Sequence, residues 1–185
     1  DVKFKVQDES GENVPGASVD LYGVGEKSTD ENGWALFTNV VEGEYGYRVE
    51  KDGFAPVENH NWLVDNDVVK NFELENAPYT ITFNVEDEEN NSIPNADVNL
   101  ARQVNNSEDY DHYDWGQTDE NGEVEFWVPS DNYHYNVDKS GYAGEGKHIE
   151  VLNENVFENV TLEVAPYKIT FDVEDENSDP VGGAD

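Results

Sequence analysis

Acidic pairs recur at matched places along the chain: Asp8-Glu9, Asp87-Glu88-Glu89 and Asp175-Glu176 each close a short stretch of alternating apolar residues. Carboxylates grouped in this way, with Asn amides and turn carbonyls around them, are the oxygen donors a hard cation needs, six to eight of them at about 2.3 to 2.6 Å. Calcium is the cofactor to which Asp8, Glu9, Asp87, Glu88, Asp175 and Glu176 point, as an ion that would relieve like-charge repulsion and stiffen the chain. The same residues equally suit solvated turns. No DxDxDG loop of the EF-hand kind occurs, and Asp-Glu-Asn-Gly is an ordinary hairpin sequence.

Aromatic rings among polar side chains suggest a second chemistry. Trp62 stands in Asn59-His60-Asn61-Trp62, and Tyr110, Tyr113 and Trp115 crowd a short segment with His112. Such rings can stack on sugars while neighbouring Asp and Asn bond the hydroxyls, and they can equally cover the ends of a small core. Catalysis has less support. Paired carboxylates are abundant by composition, so they say nothing about glycoside hydrolysis. His60, His112, His134 and His148 do not fall at a metalloprotease spacing such as HExxH. The expectation is a protein that is not an enzyme.

These residues sit within a repeat. Val2-Lys3-Phe4-Lys5-Val6-Gln7-Asp8 recurs as Ile81-Thr82-Phe83-Asn84-Val85-Glu86-Asp87 and again as Ile169-Thr170-Phe171-Asp172-Val173-Glu174-Asp175. Thr29-Asp30-Glu31-Asn32-Gly33 returns as Thr118-Asp119-Glu120-Asn121-Gly122, and Ala77-Pro78-Tyr79 as Ala165-Pro166-Tyr167. The period is domain-sized, beyond the roughly 20 to 50 residues of repeats that cannot bury a core alone. We read repeat 1 over 1–78, repeat 2 over 79–166, and the start of a third, truncated repeat over 167–185. The chain is expected to be a portion of a longer protein.

Alternation of Val2, Phe4 and Val6 with polar residues marks a half-buried strand, and the second and third copies keep the same beat. Ala17, Val19 and Leu21 match Ala96, Val98 and Leu100, and Tyr45, Tyr47 and Val49 match Tyr133, Tyr135 and Val137. The last strands are expected over Val68 to Leu74 and Val156 to Val164. No segment has a helical period. About seven short strands per repeat, separated by turns, predict an all-β chain of tandem antiparallel sandwiches of Ig-like form.

Charge narrows the setting. The 185 residues carry 10 Lys plus Arg against 43 Asp plus Glu, a formal net charge of -33. Such a field repels phosphates and anionic lipid surfaces. Nucleic acid and direct membrane insertion are not expected as partners. Cysteine and methionine are both absent, so neither disulfides nor thiol chemistry contributes.

The order V-P-G-A-x-V-x-L, T-D-E-N-G-x-A-x-F, G-E-Y-x-Y-x-V-x-K-D-G-F in repeat 1 resembles the bacterial Ig-like modules of the CnaB and carboxypeptidase-regulatory-like type, a transthyretin-like sandwich. Repeat 2 follows it with an insertion around Asn105 to Trp115. The resemblance implies a module strung along surface adhesins, stalks or pilus-like fibres. It also raises an isopeptide between a first-strand Lys and a last-strand Asn, here Lys3 or Lys5 with Asn71 or Asn76. Both lysines fall on the outward phase, however, and repeat 2 has Thr82 and Asn84 instead.

The expected function is an extracellular or cell-surface structural segment. Its partners would be neighbouring copies of the same protein or other surface proteins, with glycans as partners if the protein is instead a carbohydrate-binding module. A sharper form has Lys168, Ile169, Thr170, Phe171, Asp172 and Val173 leave their own repeat and complete a neighbour's sheet by strand addition.

Overall fold

The computed structural model describes residues 1–104 and 107–165, and among them every regular element is a strand. The pattern begins with β1 (Val2–Asp8), whose Val2, Phe4 and Val6 are fully buried while Lys3 faces out. After a turn come β2 (Ser18–Leu21), β3 (Gly25–Ser28), β4 (Trp34–Phe37), β5 (Gly43–Glu50), β6 (Val57–Val64) and β7 (Val68–Leu74). They form a three-stranded sheet in the order β4-β1-β7 and a four-stranded sheet in the order β3-β2-β5-β6. The two inner faces enclose one core, with Phe4 in ring contact with Phe37, Tyr47, Trp62 and Phe72.

The plan is then repeated. Strands β8 (Tyr79–Asp87), β9 (Asp97–Gln103), β10 (Tyr110–Gln117), β11 (Glu123–Val128), β12 (Asn132–Asp138), β13 (Glu145–Glu150) and β14 (Val156–Leu162) build sheets β11-β8-β14 and β10-β9-β12-β13. Phe83 takes the place of Phe4, packed on Phe126 and Tyr135. Pairing is antiparallel except once in each sandwich. The first and last strands run parallel, from Val2 opposite Val68 to Asp8 opposite Leu74, and from Ile81 opposite Val156 to Asp87 opposite Leu162.

The Thr-Asp-Glu-Asn-Gly motif is a structural device used twice. Buried Thr29 accepts from Ala17 N at 2.9 Å and donates to Val14 O at 2.6 Å, and Thr118 does the same with Ala96 N and Ile93 O at 2.8 and 2.7 Å. The next residue holds the turn, since Asp119 Oδ1 accepts from Asn121 N and Glu123 N at 2.8 and 2.9 Å. Gly122 closes it at φ 81° with its carbonyl bonded to Val85 N at 2.8 Å, and a Cβ there would lie 2.5 Å from Val85 O. Only glycine meets both demands.

Three strands run where no inward-facing alternation is written. β3 is exposed along its whole length, β13 is mostly exposed, and β6 buries only Val64 fully, with Val57 and Trp62 partly buried against the core. All three lie at sheet edges, where polar and charged residues discourage pairing with other chains. The segment expected as an insertion is largely β10, paired with β9 in a hairpin longer than its β2–β3 counterpart.

Candidate functional site at the junction

The last residues of the first sandwich are tied down almost to the start of the second. Ala55 N donates to Glu75 O at 2.9 Å, Ala77 N donates to Gly53 O at 2.8 Å, and Ala77 is fully buried. β8 begins at Tyr79. Pro78 alone stands between, and its ring fixes φ. The junction thus has little length over which to bend.

Side chains close it further. Arg48, on β5, lies opposite Asp20 on β2 and Glu58 on β6. Its Nη2 donates to Asp114 Oδ1 of the second sandwich at 2.7 Å, and its Nε donates to Glu50 at 2.7 Å. Asp114 sits at the β-bulge between His112 and the rest of β10, where the pairing shifts by a residue, and also accepts from Trp115 N at 2.8 Å. At 6% exposure it is the one buried carboxylate among the described residues. Burial pushes its pKa up against the opposing pull of Arg48. Burial likewise works against the charge on Arg48, but Asp114 and Glu50 outweigh it and hold the guanidinium firmly protonated.

Arg102 makes the reciprocal contact. From β9 it donates through Nη1 and Nη2 to Glu75 of the first sandwich at 2.7 and 3.1 Å, while its Nε donates to Asp131 of its own at 2.8 Å. The Glu75 hydrogen bond is the main reason its pKa is raised. Arg48 and Arg102 are the only arginines in the sequence. Each one bridges the two sandwiches, and both bridges end on the β9–β10 hairpin. A bidentate fork gives direction as well as attraction, which a lysine point charge would not.

Beside the Arg48 pair lies a cleft of about 540 Å³ lined by residues of both sandwiches, including Glu50, Asp52, Phe54, Trp115 and Trp127. Trp115 is 49% exposed there. The other aromatics singled out from sequence lie elsewhere. Trp62 packs edge-on to Tyr47 and against Phe4, closing the first core. Tyr113 rests on Tyr133 and donates to Trp127 O at 2.9 Å, and Tyr110 turns toward His134 and His148. The four rings do not share one platform.

The paired acids have local work. Asp8 Oδ1 accepts from Ser10 N and Glu12 N, both at 2.9 Å, and Asp87 Oδ1 accepts from Glu89 N and Asn91 N, both at 2.9 Å. Hydrogen bonds from the Ser10 hydroxyl and the Asn91 amide, respectively, hold the two carboxyls below the usual carboxylate range. Glu9 instead accepts from Asn76 N and Nδ2 at 3.2 Å, close to the junction. Glu88 is exposed. Asp175, Glu176 and the segment Lys168 to Val173 lie outside the described residues. Among the described residues no three His, Cys, Asp or Glu side chains are grouped so as to hold a metal ion.

Lys5 stands directly across from Asn71 on the parallel pair, which is the register an isopeptide would require. Its ammonium is engaged elsewhere, donating to Asn13 Oδ1 and Asn32 O and lying 5.3 Å from the centre of the Trp34 ring. A solvated, hydrogen-bonded ammonium is no nucleophile. At the matching place in the second sandwich, Asn84 donates to Asn159 at 3.0 Å.

No curated protein sequence matches the chain. Among solved structures, the Bacillus anthracis TIE protein is similar at 19% identity and a TM-score of 0.43, over 88% of this chain and 34% of that one. The minor pilin of Streptococcus agalactiae is similar at 14% identity and a TM-score of 0.34, over 91% of this chain and 98% of that one. The shaft pilin of Lactobacillus rhamnosus GG is similar at 9% and 0.39, over 91% and 98%. The chain thus spans about a third of the first of these proteins. Residues 1–75, the N-terminal sandwich, match the family model of the carboxypeptidase regulatory-like domain.

Proposed function

We propose that this chain is a non-enzymatic, extracellular spacer: a stiff segment of a surface stalk or filament in which each sandwich holds its neighbour at a set angle. The observation that carries this reading is the use of both arginines as reciprocal bridges across a junction with one untethered residue. Interfaces between domains of one chain are usually polar and mobile. Two separated Arg–carboxylate contacts and a proline resist rotation in a way that one contact would not. Repetition of a whole domain suits length better than it suits a reaction centre, which needs to be built only once. The partners that fit are further copies of the chain or other surface proteins, as the pilin names of several similar structures also suggest. Lys168 to Val173 would be the joining strand if copies assemble by strand addition.

Pulsed dipolar EPR between a pair of spin labels, one on each sandwich, tests the spacer directly. A narrow distance distribution that broadens in Arg48→Ala/Arg102→Ala supports it. A broad distribution in the unmodified protein would sink it. Carbohydrate binding is the second reading, and it rests on half-exposed Trp115 over the two-domain cleft.

A further inference from the structure

Three of the four histidines, far apart in sequence, are brought to one line across the second sandwich. Register places His112 on β10 opposite Ala101 on β9, Ala101 opposite His134 on β12, and His134 opposite His148 on β13. Residues directly opposite on neighbouring strands point to the same face. That face is the outer one, since the adjacent Tyr133 and Tyr135, like Val137, are fully buried on β12. The His134 and His148 rings stand 4.9 Å apart between centres, at 68°. Tyr110 reaches across the sheet to them, its centre 5.3 Å from His148 and 6.0 Å from His134.

That separation has a chemical meaning. Two imidazoles that share one ion, each with a metal–nitrogen bond of about 2.0 to 2.1 Å and a near-tetrahedral angle between them, hold their ring centres about 5 Å apart. Cross-strand pairing fixes the two backbones side by side, so only the side-chain rotamers are left to be ordered on binding. Imidazole nitrogen selects borderline metals over calcium and magnesium, which prefer oxygen. The net charge of -33 raises the concentration of any cation near the surface.

We propose that His134 and His148 bind one divalent transition-metal ion of the zinc, nickel or copper class through one ring nitrogen each, with Tyr110 walling one side and solvent completing the coordination. The site is open, so the ion keeps exchangeable positions toward bulk solution. It is unrelated to the arginine junction and stands or falls independently of the spacer reading.

The test is calorimetric titration of the purified chain with zinc, nickel and copper chlorides in excess magnesium, which occupies the acidic surface. One saturable equivalent is expected. His134→Gln and His148→Gln should each weaken binding on the order of 10- to 100-fold, because loss of even an outer-shell partner costs that much. His60→Gln should leave it unchanged. On the unmodified protein, nitrogen NMR of the imidazoles should show metal-induced shifts at His134 and His148 first, and the copper EPR spectrum should show two nitrogen ligands. Binding that survives His134→Gln/His148→Gln, imidazole shifts elsewhere, or the absence of saturable binding would overturn the assignment.

Discussion

Arg48 of the first sandwich and Asp114 of the second meet at 2.7 Å, and the carboxylate is almost fully shielded from solvent while the guanidinium keeps one flank exposed. Part of that shielding comes from Arg48, across the junction. Asp114 would regain water if they parted, so loss of Arg48 should open the junction before it unfolds either domain. A double-mutant cycle over Arg48→Ala and Asp114→Asn is expected to give a coupling of about 0.5 to 3 kcal/mol, read from the interdomain opening equilibrium. Each domain's own melting should move little.

The pH dependence should carry two opposite slopes. Asp8, Asp87 and Asp119 have folded pKa values held below 3.8, so their contribution is present above the unfolded value and is lost as pH falls through the folded ones. Asp114 is raised above 3.8, so the native state holds its proton more tightly and the Asp114 contribution declines as pH rises through its folded value. Asp87→Asn/Asp119→Asn keeps an oxygen to cap each turn but removes the titration, and should flatten the unfolding curve below pH 3.8. Asp114→Asn should gain relative to the parent as pH rises from 4 to 7. An unchanged difference across that range would contradict the burial argument.

Glycine in the repeated turn should be the least replaceable of the turn residues. Gly122→Ala forces a Cβ onto Val85 O and a left-handed backbone at φ 81°, and should cost about 1 to 3 kcal/mol in chemical denaturation. Gly141→Ala makes the useful contrast, since φ is 92° there but no atom lies within 4 Å of the added carbon. It should cost less. Thr118→Val strands Ala96 N and Ile93 O and should cost about 1 to 3 kcal/mol by the same measurement.

Calcium and magnesium at equal millimolar concentration are expected to raise the melting temperature alike. Asp8 Oδ1 and both oxygens of Asp87 are already committed to their turns, leaving screening of the net charge as the main shared effect. A rise selective for calcium would reveal a bound ion, since a ligand stabilises by preferring the native state. Glu9→Gln would then locate it at the Asn76 end of the junction.

Trp115→Ala decides the carbohydrate reading. Glycan binding that disappears in this variant, with melting unchanged, would favour a binding module, and the Trp62→Ala variant would be a poor test because that ring closes the first core. No binding in the unmodified protein would leave the spacer alone.

Alternation in β1 and β8 was plain in the sequence because one face of each is buried by its own domain. The Thr-Asp-Glu-Asn-Gly turn was plain because its residue types act locally. Edge strands β3, β6 and β13 were not, since a strand with little buried surface writes no alternation. Asp114 passed unnoticed because its partner, Arg48, lies in the other domain, which no local pattern records. Two clues were present in the sequence: repeat 2 alone carries the longer hairpin, and only two arginines occur among so many acids. The histidine line needed register, since Ala101 joins His112 to His134 only once β9 is seen between their strands.

The parallel pairing of β1 with β7, and of β8 with β14, decides how each domain would carry a tensile load. Parallel first and last strands put the two chain ends at opposite poles. Traction applied there drags one strand lengthwise past the other, so the hydrogen bonds from Val2 opposite Val68 through Asp8 opposite Leu74 are strained together in shear. An antiparallel pair pulled from adjacent ends would open one rung at a time like a zip. Forced rupture is governed by the unfolding rate, so this topology favours mechanical endurance without requiring greater equilibrium stability.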